Sequence, residues 1–310
     1  MARPVIQSRK NPGPSWGYAF LTAAERLLPR PVLNTALHLG SDVSVPLMPA
    51  QRAASAAYLE AVMGRPPRPV EVRQHFRAFL DSLMAKLRLA RGVAPEFWVA
   101  DVPQREAFLR LCRADRPALF GTMHVGYADL MGASLSQFGR QIHMLRLRVG
   151  NSLDTELIEK HFSGAVRFVW VNEPEQYLWQ LKQVMEAGHT VAMQCDRLEF
   201  GSKREAFDFL GARRWFPFTL YYLAHLYQRP VAFAFAVPTG PGRVEVVPSQ
   251  VLEPQASRKA ALEAGRTHFQ GVLNLLETIL RDHPYVWFNF LPLNEEAPVA
   301  PNSTPTATAG

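Results

Sequence analysis

Cysteine is scarce: Cys112 and Cys195 are the only two in 310 residues, and neither belongs to a Cys-x-x-Cys pair or a ladder of spacings. That argues against a disulfide framework or a zinc site, and reduced, buried thiols in a cytosolic setting are expected instead. Long hydrophobic runs are also missing, since no stretch approaches the roughly 20 apolar residues of a membrane span. The most apolar segment, Trp16 to Leu28, is interrupted by Glu25 and Arg26 and closed by Pro29 and Pro31. Residues 1–14 carry charges and prolines in place of the apolar core and small-residue cleavage site of a signal peptide. Any membrane contact is therefore expected to be peripheral. No His-Glu-x-x-His, P-loop or Gly-x-Ser-x-Gly occurs, so zincin, phosphate-loop and serine-hydrolase chemistries lack their motifs. No metal is expected, and there is no internal repeat.

What is present begins with positive charge. The 34 Lys and Arg exceed the 27 Asp and Glu, a net charge of +7, which points to an anionic partner: nucleic acid, an anionic membrane surface or an acidic protein. The cations form small dispersed groups, such as Lys86/Arg88/Arg91 and Arg146/Arg148, and no nucleic-acid-binding motif accompanies them. Nucleic acid is not an expected partner.

The first ninety residues read as helical. Trp16 to Leu28 keeps its apolar residues on one stripe, as an interfacial helix or a helix on the protein's own core would. A second helix is predicted from about Pro49 to Val62. A third, from Val72 to Leu89, places Val72, Phe76, Phe79, Leu80, Leu83 and Leu87 on one face. From Phe97 the pattern changes to short apolar runs alternating with helices, among them strands at Ala118–Phe120, Ile142–Leu145, Val166–Val169 and Thr190–Met193 and a helix at Ser152–His161. This predicts an α/β fold with a largely parallel sheet flanked by helices, preceded by a helical N-terminal region. The expected units are 1–94, a helical region with possible membrane-surface contact; 95–294, the α/β domain; and 295–310, a disordered tail rich in Pro, Ala, Thr and Ser.

Within this pattern, Pro117 to Met131 runs from a buried strand through a bend into a helix, with His124 at the bend and Asp129 five residues on. In one continuous helix the two would face about 140° apart. A bend at Gly126 lets Asp129 fold back onto the imidazole, fix its tautomer and leave the other ring nitrogen to accept a hydroxyl proton. A capping or core histidine is the alternative. A second block holds Asp196-Arg197, Gly201, Phe209, Gly211 and Pro217, with Asp196, like His124, following a strand at the ligand edge of a parallel sheet. Gly201 and Gly211 suit tight turns, and Pro217 suits a helix's first turn. Asp196 and Arg197 read either as a structural ion pair or as polar site lining.

His-x4-Asp after a buried strand, together with this second block, resembles the glycerolipid acyltransferase superfamily. The frame His124-x-Gly126-Tyr127-x-Asp129 is similar to the lysophospholipid and lipid A late acyltransferase branch, and Trp287-Phe288-Asn289-Phe290 looks like relatives from aryl polyene clusters. The resemblance implies a glycerolipid acyltransferase-like fold with His124 as general base and Asp129 as its orienter. It also implies Arg146 and Arg148 at a phosphate or oxyanion, and Asp196, Arg197, Gly201, Phe209 and Gly211 around the substrate. The donor would be a fatty acyl thioester on acyl carrier protein or coenzyme A, with no bound cofactor, and the acceptor a lipid or glycolipid hydroxyl. The setting would be the cytoplasmic face of a bacterial inner membrane, held peripherally. Lipid A enzymes frequently carry Glu where Asp129 stands and many have an N-terminal span, so lipid A itself is not implied. A noncatalytic basic protein that binds membrane or carrier protein on a degenerate acyltransferase fold is the alternative.

Overall fold

The computed structural model describes residues 21–297, apart from 22, 26, 90, 91, 137, 147–165, 172, 173 and 199–202. Arg148, Gly201, the expected helix at 152–161 and residues 298–310 lie outside the described residues, as does most of the stretch Trp16 to Leu28.

Helices α1 (Arg30–Leu47), α2 (Pro49–Met63) and α3 (Pro69–Leu89) make up the N-terminal region. The sequence reading places α2 and α3 but not α1, because Pro29 and Pro31 look like a stop. Pro31 instead sits in the first turn of α1, where its missing N–H would have had no helical partner anyway. The α3 stripe divides its work: Val72 and Phe76 enter the main core, while Leu83 and Leu87 pack against Leu33 and Leu37 of α1.

The alternation follows: β1 (Glu96–Val99), α4 (Arg105–Arg113), β2 (Leu119–Thr122), a 3-10 turn (Ala128–Leu130), α5 (Met131–Ser136), β3 (Ile142–Arg146), β4 (Val166–Trp170), α6 (Pro174–Glu186) and β5 (Thr190–Gln194). Then come β6 (Arg204–Phe209), β7 (Ala212–Pro217), α7 (Thr219–Tyr227), β8 (Val231–Gly240), β9 (Arg243–Pro248) and α8 (Arg258–Asp282). Seven strands form one sheet in the order β1-β9-β8-β2-β5-β3-β4, parallel throughout except at β8–β9. The expected α/β architecture is the one observed. Side-chain alternation along β2 feeds two cores: Leu119 joins the cluster with α7 and α8, and Phe120 the one with α4 and α5.

The second block folds as an antiparallel hairpin outside the main sheet, with Arg204 opposite Pro217. Pro217 therefore ends a strand and does not open a helix; α7 starts two residues later, and a strand end tolerates the missing N–H. Phe207, Phe209 and Phe216 of the hairpin pack with Phe218, Tyr221 and Phe269 in a nearly dry aromatic cluster. Helix α8 closes it with a buried stripe of Leu262, Phe269, Val272, Leu273, Leu276 and Leu280, its N-terminus capped by the Ser257 hydroxyl. Truncating Phe269 to alanine would cost about 3–5 kcal/mol.

Two further features bear on the site. Residues 295–297, expected in a disordered tail, are paired with β7: Trp215 N–H donates to Glu295 O and Ala297 N–H to Arg213 O. The hairpin edge offers unpaired backbone groups, and this segment takes them up. The aromatic segment 283–290 makes one isolated bridge, between Trp287 and Val125. Its backbone bonds are directed instead at the turn after β2 and at α3.

Candidate active site

Strands β2 and β5 are parallel neighbours whose register pairs Thr122 with Gln194. His124 lies two residues beyond the one and Asp196 two beyond the other, so the two side chains emerge together at the carboxyl edge of the sheet. Asp196 Oδ1 is 2.8 Å from His124 Nδ1, and Asp196 Oδ2 accepts the His124 backbone N–H at 2.9 Å. The Asp196 side chain is fully buried and that of His124 is 19% exposed. Burial pushes the Asp196 carboxyl up, but the His124 ring, Arg197 and the Trp287 indole together hold it well below the usual carboxylate range. An ionised Asp196 is an acceptor only, so Nδ1 carries the proton and Nε2 the lone pair. Nε2 makes no hydrogen bond among the described residues.

The turn that carries His124 is fixed by Gly126, whose φ of +53° suits glycine and where a Cβ would stand 2.1 Å from Ala236 O. On the opposite side, Gly126 N–H donates to Val286 O at 2.6 Å and Phe288 N–H to His124 O at 2.7 Å. The backbone of the bend is thus held between β8 and the 283–290 segment.

Asp129 does not orient His124, contrary to the sequence expectation. Its Oδ2 accepts from Lys86 Nζ at 2.8 Å, and the Arg146 guanidinium stands 3.4 Å away. Burial raises its carboxyl, but Lys86 and Arg146, with a smaller part from His124, pull it well below the ordinary value. Two cations compete for this carboxylate, and Nδ1 of His124 is already engaged by Asp196. Asp129 therefore organises a cationic wall, and Arg146 belongs to it, with its guanidinium also over the Phe168 ring at 5.5 Å.

The remaining expected residues fall in different places. Arg197 Nε is buried with no hydrogen-bond partner among the described residues. Phe209 is a core ring, edge-on to Trp287 at 5.5 Å, so it supports the site from behind and does not line it. Gly211 is at the exposed tip of the β6–β7 hairpin with φ +75°, a turn position. Cys195 is buried, and burial together with Asp196 pushes its thiol well up; burial pushes Cys112 up to about 12. A thiol held in that form is a poor nucleophile. Lys86 and Trp287, bonded to Asp129 and Asp196, are the residues at this edge that the sequence pattern left unmarked: one stood in an ordinary basic group, the other in an aromatic run that reads equally as core.

Two cavities adjoin this edge. A narrow one of about 30 Å³ lies under the 3-10 turn, lined by Phe120, Met131, Leu135, Met144 and Ala192, with Asp129, Arg146 and Gln194 as polar walls. A larger one of about 440 Å³ opens between α1, α3 and the β8–β9 turn, lined by Ala78, Ala85, Tyr127, Pro238, Val286 and Phe288, with Asn34, His38, Asp81 and Arg88. Among the described residues no group of three or more His, Cys, Asp or Glu could hold a metal ion, and no helix is long and apolar enough to cross a membrane.

No protein-family model matches the chain, and no curated protein matches it. Among solved structures, it is similar to the 1-acyl-sn-glycerophosphate acyltransferase PlsC from Thermotoga maritima, at 13% identity over 80% of this chain and 98% of that one, with a TM-score of 0.35.

Proposed function

We propose that the protein is an acyltransferase that moves a fatty acyl group from a thioester to a hydroxyl of a lipid or glycolipid acceptor. What supports this above all is an imidazole whose Nδ1–H is tied to a buried, ionised carboxylate and whose Nε2 is left available as a base. The acceptor hydroxyl gives its proton to His124 Nε2 as its oxygen attacks the thioester carbonyl. The tetrahedral oxyanion collapses, the C–S bond breaks, and the departing thiolate takes the proton from Nε2. Lys86 and Arg146, gathered by Asp129, supply positive charge for the oxyanion or for a donor phosphate. No covalent enzyme intermediate is needed, in keeping with the buried thiols, and no cofactor enters the scheme.

The larger cavity falls within the 300–1,000 Å³ range of ligand sites and takes the apolar part of a substrate. The donor is carried on acyl carrier protein or coenzyme A; the net charge of +7 favours encounter with an acidic carrier. The acceptor is met at an anionic membrane surface, on the cytoplasmic face of a bacterial inner membrane. Val32, Leu39, Val43 and Leu47 support this, as they leave an exposed apolar stripe along α1.

Purified protein is incubated with radiolabelled acyl carrier protein, or acyl-coenzyme A, and a membrane lipid extract. Label is expected in lipid with the wild type and not with His124→Ala. Equal labelling by both, or by neither, would leave the noncatalytic binding protein as the better reading.

A further inference from the structure

A buried tryptophan N–H needs a hydrogen-bond partner. Trp287, only 1% exposed, donates Nε1–H to Asp196 Oδ2 at 2.9 Å, the same oxygen that accepts the His124 backbone N–H. Two donors on Oδ2 set the plane of the carboxylate and turn Oδ1 toward His124 Nδ1. The indole is itself held on several sides. The Tyr58 ring packs edge-on at 5.1 Å, and the Tyr58 hydroxyl donates to Pro284 O at 2.8 Å. His75 Nε2 lies 2.9 Å from Trp287 O, and a carbonyl accepts only, so Nε2 carries the proton. His75 Nδ1 is then the acceptor for the Ser55 hydroxyl at 2.8 Å. A hydrogen-bonded chain therefore runs from Ser55 on α2 through His75 on α3 to Trp287, Asp196 and His124.

We propose that Trp287 is a positioning residue for the base: its indole N–H fixes the Asp196 carboxylate against His124, and Ser55 and His75 fix the indole. The inference rests on the acid–base reading of His124. The titratable groups facing Asp196 are His124 from the end of β2 and Arg197 and Cys195 on its own loop. Trp287 is a neutral donor to the carboxylate, and Asn294 donates to the Asp196 backbone carbonyl at 3.0 Å. Deleting the indole N–H takes a donor from the carboxylate and makes it the stronger acceptor toward a protonated imidazole, while loosening its orientation.

The test is Trp287→Phe, with Phe216→Leu as a control for core damage. Phe216 is fully buried and packs on Phe209 and Phe269. In Trp287→Phe, kcat is expected to fall about 10- to 100-fold at unchanged KM. The acid limb of the pH–rate profile moves to higher pH, and the downfield proton resonance of the His124–Asp196 bond, assigned by its loss in His124→Gln, broadens or shifts. Phe216→Leu is expected to lower Tm while leaving the resonance and the acid limb in place. A Trp287→Phe protein with wild-type resonance, kcat and acid limb would overturn the inference, as would the same three changes in Phe216→Leu. If Trp287→Phe does not fold, benzothienylalanine at position 287 replaces the N–H by sulfur at nearly constant shape, and the same outcomes apply. The resonance needs no substrate. If the wild type transfers no acyl group, its loss at position 287 still supports positioning and its persistence still overturns it.

Discussion

His124 Nδ1 stands 2.8 Å from Asp196 Oδ1, across seventy-two residues of chain and one strand-to-strand step of the sheet. His124 and Asp196 are thus brought together by sheet register, and neither owes its place to the helix that follows His124. Asp196 Oδ2 accepts two N–H groups, from His124 and Trp287, which fixes what an amide would do there.

In Asp196→Asn the amide oxygen takes the Oδ2 position and its NH₂ faces Nδ1, so Nδ1 must accept and the proton moves to Nε2. The base is then in the wrong tautomer. A fall in kcat of about 10³–10⁴ is expected, with KM nearly unchanged. Steady-state acyl-transfer kinetics check this; a loss below tenfold would mean that Asp196 does not set the tautomer.

Asp129→Asn has a different signature. Lys86 and Arg146 lose their shared carboxylate, one cation being 8% and the other 22% exposed, while Asp129 itself is 34% exposed. Partial solvent access limits the destabilisation to about 1–3 kcal/mol. The downfield His124 proton resonance is expected to persist in Asp129→Asn and to vanish in Asp196→Asn. Proton spectra of the two variants separate orienter from cation organiser.

Burial lowers His75 from 6.5 to about 4, against a smaller opposing effect of its bond to Trp287 O. Between these values the unfolded chain binds a proton that the folded chain refuses, so stability falls as pH drops from about 6.5 to 4 and is complete above that window. The loss from His75 alone is at most about 3 kcal/mol. Urea unfolding at pH 7 and pH 4.5 is expected to show a shallower pH dependence in His75→Phe, whatever its absolute stability.

Two glycines with positive φ should respond differently to alanine. At Gly139, φ +74°, an added Cβ meets nothing within 4 Å, and only backbone strain of about 1–2 kcal/mol is expected. At Gly126 the Cβ would strike Ala236 O, so the bend at His124 must move. Gly126→Ala is expected to lose activity and several degrees of Tm beyond Gly139→Ala, measured side by side by thermal unfolding and transfer assay.

Leu39 and Val43 are 60% and 67% exposed on α1. Leu39→Glu and Val43→Glu are expected to leave Tm within a degree or two while reducing cosedimentation with anionic lipid vesicles at least tenfold, since each apolar side chain inserted is worth about 1.5–3 kcal/mol. Unchanged vesicle binding would remove α1 from the membrane-facing surface.

Periodicity made the α/β alternation legible, because buried parallel strands are short apolar runs and the helices carry clear stripes. It did not place α1, where a proline at a first turn looks like a stop, nor β9, whose Arg243-Val-Glu-Val-Val-Pro run is interrupted by Arg243 and Glu245 beside an edge strand. His124 and Asp196 were both legible as strand-end residues at the ligand edge. Their partnership was not, because it depends on which strands are neighbours, and the sequence order β2, β3, β4, β5 hides that β2 and β5 touch. Proximity in sequence favoured Asp129 for the same reason. Lys86 comes from a helix forty-three residues before its partner and Trp287 from ninety-one after its own, separations at which spacing carries no signal.

The 283–290 segment has a consequence for how the molecule is made. It supplies the wall of the bend at His124, the indole on Asp196 and the carbonyl that receives His75. A nascent chain that has not yet released Trp287 from the ribosome can pair β2 with β5, yet it holds a carboxylate with one donor missing and a bend with one side open. The contacts around His124 and Asp196 are therefore completed only by a segment that follows every strand of the sheet in the chain.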